Sequence, residues 1–195
     1  MKKILLLLLL GSVTSSAQLL KLGQARGLFM SVGVGPRVPI FNFSNRFNIG
    51  SGVDFSLSYA DNETIPLFFY TKIGFQHHPG KQEFYAVSDY SSISSNVLSF
   101  NLGVRFYFPP VIKNFVILMP VAEAGFALSY WSVFNQFKNG TNKPDVDENI
   151  IRGGLQLAGG FSMFLMDVML TYNYVPENQY LSFDLRIRIP IFVKD

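Results

Sequence analysis

Three groups of residues in this 195-residue chain have the types and spacing to do chemistry. His77 and His78 are the only histidines, and one of them could act as a general base for a serine nucleophile. Pro79-Gly80 follow at once, which is a turn signal, and no serine stands two residues on. A solvated base at a loop is what that pattern supports. Asp145, Asp147 and Asn149 echo the first ligands of a calcium loop, and Glu148 adds an oxygen donor. The glycine required next is replaced by Ile150, and Gln156 stands where the closing Glu belongs. Asp145, Asp147 and Glu148 therefore make a candidate weak cation loop and no dedicated metal site. The third group is Asp54, Lys72, Arg105, Glu123, Arg152, Asp184, Arg186 and Arg188, whose chemistry depends on whether they share a face. Gly153-Gly154 and Gly159-Gly160 lack the strand-loop-helix setting of a phosphate cradle. Asn62-Glu63-Thr64 and Asn139-Gly140-Thr141 match glycosylation sequons, a pattern too short to assign anything by itself. Cysteine is absent, so there is neither thiol chemistry nor disulfide support.

The elements that must position these groups show a period of two. In Leu98–Phe108 the apolar set is Leu98, Phe100, Leu102, Val104, Phe106 and Phe108, alternating with Ser99, Asn101, Gly103, Arg105 and Tyr107. In Leu181–Val193 it is Leu181, Phe183, Leu185, Ile187, Ile189, Ile191 and Val193, with Asp184, Arg186 and Arg188 between them. Ile49–Tyr59 alternates in the same way. Leu28–Gly35, Ile65–Phe75, Val116–Tyr130, Ile151–Met163 and Val168–Tyr174 follow less cleanly, giving eight strands. Hydrophobic residues make up 49% and charged residues 15%, below the roughly 25% charged of a soluble domain. Apart from the N-terminus no run is long enough for a spanning helix, and a greasy chain of alternating strands can cross a bilayer as a closed barrel alone. The expectation is an all-β, eight-stranded, antiparallel up-and-down transmembrane β-barrel over residues 18–195.

Residues 1–17 carry the features of a signal peptide: Lys2 and Lys3, the apolar Ile4 to Leu10, and Ser15-Ser16-Ala17 before Gln18. Removing them takes the formal charge from +3 to +1, so the basic pI does not point to nucleic acid. Long connections at 36–48, 76–97 and 131–150 alternate with short ones, as external loops alternate with periplasmic turns. The face opposite the apolar one is rich in Gly, Ser and Ala and poor in Lys and Glu, which suits a cramped lumen and not water. The large apolar residues then face lipid. Tyr59, Phe68, Phe69, Phe106, Phe108 and Phe115 at one end, and Phe75, Tyr130, Trp131, Tyr172, Tyr174 and Tyr180 at the other, read as two interfacial girdles. The eight charged residues of the third group face the lumen, where they must pair or meet water.

The leader, the eight alternating strands and the closing Leu181-Ser182-Phe183-Asp184-Leu185-Arg186-Ile187-Arg188-Ile189-Pro190 run resemble small outer-membrane barrels of the OmpA/OmpX type, in particular the porin-like outer membrane protein β-barrel domain families of Bacteroidetes-type bacteria. Such barrels commonly end on an aromatic residue; here Phe192 is followed by Val193-Lys194-Asp195. The resemblance implies a cell outer membrane location, with outer-membrane lipid and lipopolysaccharide as neighbours and an extracellular ligand or envelope protein as partner. Members of this group include adhesins, small channels and lipid-modifying enzymes, so it does not choose among functions. The reading that fits the residues is a non-enzymatic barrel with a side-chain-filled lumen, without cofactor, acting through its external loops by surface binding or as a membrane scaffold. A narrow small-solute channel and a lipid-modifying enzyme are the alternatives.

Overall fold

The computed structural model describes residues 26–61, 67–112, 117–140 and 144–194. The expected signal peptide lies outside them. Eight strands form one closed antiparallel ring in chain order, sealed where β1 pairs β8. They are β1 (Arg26–Pro39), β2 (Gly50–Asp61), β3 (Phe68–Pro79), β4 (Tyr90–Tyr107), β5 (Leu118–Phe137), β6 (Val146–Met163), β7 (Met166–Tyr174) and β8 (Tyr180–Lys194). A 3-10 turn, Phe41–Asn45, follows β1, and a one-turn helix, α1 (Gln82–Ala86), follows β3. No helix among the described residues is long and apolar enough to cross a membrane.

The two-residue period does what pleating demands: alternate side chains go to opposite faces. Val53, Phe55, Ile73, Phe75, Leu98, Phe100, Phe126, Leu128, Leu155, Leu157, Phe183, Leu185 and Ile187 all stand exposed on the outside. They form a continuous apolar band, which a water-facing surface would not tolerate and lipid would cover. Asp54, Arg105, Glu123, Asp184 and Arg186 are buried on the inside.

Several strands run further than the apolar alternation. The expected loop over 76–97 is mostly strand: β3 continues through His78, and β4 already begins at Tyr90. β5 runs to Phe137 and β6 starts at Val146, so most of the expected 131–150 loop is strand as well. The cause is a change of phase at the edge of the band. On β4 the residues Leu98, Phe100 and Leu102 face out, whereas Ile93 and Val97 face in and are buried. On β5 Tyr130 faces out and its neighbour Trp131 faces in, 1% exposed. Past the band the outside is water, so the apolar residues turn inward. The outward pair there is polar: His77 Nδ1 and Asn96 Oδ1 lie 2.8 Å apart, one level beyond Phe75 and Leu98.

Candidate functional site

The lumen is filled in layers. At the end where β4, β5 and β6 run past the apolar band, the segment after β1 folds over the mouth as a strap. It is pinned by Ile40 N–H to the Gln179 carbonyl (3.0 Å), Asn48 N–H to the Pro79 carbonyl (2.8 Å) and Lys81 N–H to the Arg46 carbonyl (2.9 Å). Phe43 and Phe47 of the strap enter the barrel and pack with Ile93, Val97, Trp131, Val133, Val175 and Tyr180. Phe43 meets Trp131 edge-on, with ring centroids 5.2 Å apart. Trp131 and Tyr180 are thus cap residues and not girdle residues. Phe68, at the other end, also turns inward, packing on Tyr107 (4.9 Å) and Phe29 (5.9 Å).

Between these aromatic ends runs one chain of ion pairs. Asp54 pairs with Arg37 (2.8 Å), Arg37 with Asp184 (2.5 Å), and Asp184 with Arg186 at 3.6 Å. Arg186 pairs with Glu123 (2.8 Å), Glu123 with Arg105 (2.5 Å), and Arg105 with Asp167 (3.4 Å); Asp167 also holds Arg188. The charges alternate in sign along the chain, four of each, and come from β1, β2, β4, β5, β7 and β8. Such an arrangement offsets desolvation, since each buried charge has a counter-ion. Lys72 is buried in the same lumen but makes no ion pair within 4.0 Å among the described residues.

Small residues make the room. A Cβ on Gly33 would stand 2.7 Å from Arg186 Cγ, and one on Gly52 would stand 2.7 Å from Arg37 Nε. Tyr70 on β3 lies across its neighbours Gly103 on β4 and Gly125 on β5, where added Cβ atoms would lie 2.7 and 2.9 Å from its hydroxyl. That hydroxyl accepts a hydrogen bond from Gln156 Nε2 at 3.2 Å.

The structure gathers Asp54, Lys72, Arg105, Glu123, Asp184, Arg186 and Arg188 in the lumen. Arg152 does not join them. It sits on the inward face of β6, but near the rim that the strap covers, and its guanidinium reaches out to Glu177 (2.6 Å) and the Pro176 carbonyl. Arg37 and Asp167 join the chain in its place. Their signal was present in the alternation: Gly33, Gly35, Arg37 on β1 and Asp167, Met169, Thr171 on β7 each continue an inward phase. The cation loop does not form either. Asp147 and Glu148 are consecutive strand residues, so pleating sends them to opposite faces. Asp145 Oδ1 accepts the Phe137 N–H at 3.2 Å instead. No group of three His, Asp or Glu side chains that could hold a metal ion occurs among the described residues. The histidines lie in β3 and not in a loop. His78 and its cross-strand partner Ser95 are both buried under the cap and make no hydrogen bond with each other.

No family model and no curated protein matches this chain, so the narrower likeness to Bacteroidetes-type barrels rests on sequence pattern alone. Among solved structures it is similar to Neisserial surface protein A, NspA, at 14% identity and a TM-score of 0.55, over 85% of this chain and 97% of that one. It also aligns with Ail, the attachment invasion locus protein of Yersinia pestis, in complex with the heparin analogue sucrose octasulfate: 11% identity, TM-score 0.45, over 84% and 99% of the two chains. The N-terminal β-barrel domain of Pseudomonas aeruginosa OprF aligns at 11% identity and a TM-score of 0.44, over 85% and 100%. The likeness to NspA is one of fold.

Proposed function

We propose that this chain is an outer-membrane barrel whose lumen is a structural core and whose activity lies on a sheet that projects from its external end. The observation that carries the reading is a mismatch in pairing. β6 pairs with β5 up to Val146, but with β7 only from Leu155 onward. Among the described residues the β7-side edge of β6 over Val146–Gly154 therefore has no strand beside it, and residues 146–151 are exposed on both faces. An uncovered strand edge is a template for an extended segment of another chain. Asp145, Asp147 and Glu148 make it acidic, which favours a basic partner. The sealed lumen supports the same conclusion, since aromatic layers close both ends of the ion-pair chain. The fold shared with NspA, a surface protein by its name, and the exposed apolar band support the membrane setting.

Position of the sheet is testable by labelling. Val87→Cys and Asn139→Cys should react with an impermeant maleimide on intact cells, because both sit at the end that carries the sheet. Phe164→Cys, in the turn after β6, should react only once the outer membrane is permeabilised. The opposite pattern would put the sheet in the periplasm and end the surface-binding reading.

A further inference from the structure

We propose that His78 is the latch of an acid-sensitive cap: protonation of its ring releases the Phe41–Phe47 strap from the external mouth of the barrel. This goes beyond surface binding and does not depend on it.

His78 is fully buried on the lumen side of β3, one level beyond the apolar band, which ends on this strand at Phe75. Its ring meets Phe43 of the strap edge-on, centroids 4.9 Å apart, and Tyr180 of β8 at 6.1 Å. The backbone of Gly50 on β2 presses so close that a Cβ there would stand 2.7 Å from Nδ1. Neither ring nitrogen has a hydrogen-bond partner of ordinary geometry. A neutral imidazole tolerates such a cage, whereas an imidazolium needs water or a counter-ion.

Among the described residues the surrounding elements offer His78 no free counter-ion. β1 contributes Arg37, a cation whose two carboxylates, Asp54 and Asp184, are already bound to it. His77, on the same strand, faces out to Asn96. β8 brings the Tyr180 phenol, β4 the uncharged Ser95, and β5 Trp131 and Asn135. The strap brings Arg46, another cation, lying over the Phe47 and Phe84 rings at 5.9 and 5.6 Å. The Asn48 backbone pulls toward the protonated form, but burial outweighs it and holds the imidazole down to about 4.

The strap is the part that can yield. Ladders on both sides hold the barrel wall, while a few backbone hydrogen bonds and the burial of two phenylalanines hold the strap. A ring with an ordinary value of 6.5, held at about 4 in the closed cap, supports closure in full above 6.5. Each unit of acidification from there to about 4 weakens closure tenfold, about 300-fold in all.

Trp131 is the only tryptophan and touches Phe43, so its fluorescence reads the cap. Refolded protein in detergent micelles should be titrated from pH 8 to pH 3 while emission and acrylamide quenching are followed. The expected result is a red shift with at least a twofold rise in quenching between pH 6.5 and 4. His77→Gln should keep the transition. His78→Phe should abolish it, and His78→Gln, which fits the same space without a titrating ring, should abolish it if the phenylalanine variant does not fold. Wild-type emission unchanged down to pH 3, or the same transition in a folded His78 variant, would overturn the proposal.

Discussion

Glu123→Ala should lower the unfolding free energy of the barrel by about 3–5 kcal/mol, the range for removing one partner from a buried charge network. Glu123 is the single anion between two arginines: Oε1 accepts from Arg105 Nε at 2.7 Å and from Arg186 Nη1 at 2.8 Å. Its removal leaves both cations in a lumen that admits little water. Arg105 retains Asp167 at 3.4 Å, and Arg186 retains Asp184 at 3.6 Å, so the chain breaks at its centre and not at its ends. Adding Arg186→Met should recover part of the loss, because one stranded cation leaves with its side chain. Urea unfolding in lipid vesicles reads both changes. Equal stability of Glu123→Ala and wild type would mean that water, and not Glu123, solvates these arginines.

Leu185→Arg tests the other face of the wall, with an expected cost of about 2–4 kcal/mol if its place on β8 lies near mid-membrane. Leu185 is 42% exposed, flanked on the outside by Phe183 and Ile187, and pairs with Val34 and Val168. A charge there meets hydrocarbon, and no second substitution in the lumen should recover the loss. Ile150→Arg is the control. Ile150 is also an exposed apolar strand residue, 37% exposed, but it stands on the projecting sheet. A surface change in water should stay within about 0.5 kcal/mol. Similar losses at both positions, measured by urea unfolding in vesicles, would show that Leu185 does not face lipid.

The barrel was legible in the sequence because, inside a membrane, apolar-out alternation has nothing to compete with it. Leu98–Phe106 and Leu181–Ile189 hold one phase in the wall, while a register shift opposite Leu28-Phe29 turns the end of β8 over, so that Val193 pairs with the inward Gly27. The same rule hid what lies past the band. There the apolar residues turn inward, so Val97 read as the last residue of a loop and Tyr130-Trp131 read as girdle positions. They are the points where the surroundings change from lipid to water. Arg37 was hidden because Pro36 looked like the start of a loop, yet β1 carries on to Pro39 by pairing with β8. Arg152 was assigned to the lumen because its face is right; its height on the strand, which alternation does not encode, puts it at the rim. The pairing of Arg37 with Asp184 depends on the ring closing between β1 and β8, a contact between the two ends of the barrel that no local pattern specifies.

A lumen closed by aromatic layers at both ends, with a sign-alternating ion-pair chain between them, should carry no ionic current. Planar-bilayer recording of the refolded wild-type chain at neutral pH measures this most directly. A silent bilayer is the expected result, with insertion verified separately by a protected, folded barrel in the same lipid. Stable unitary current steps from that protein would contradict a packed lumen, because they would show an open path between its ion-paired side chains.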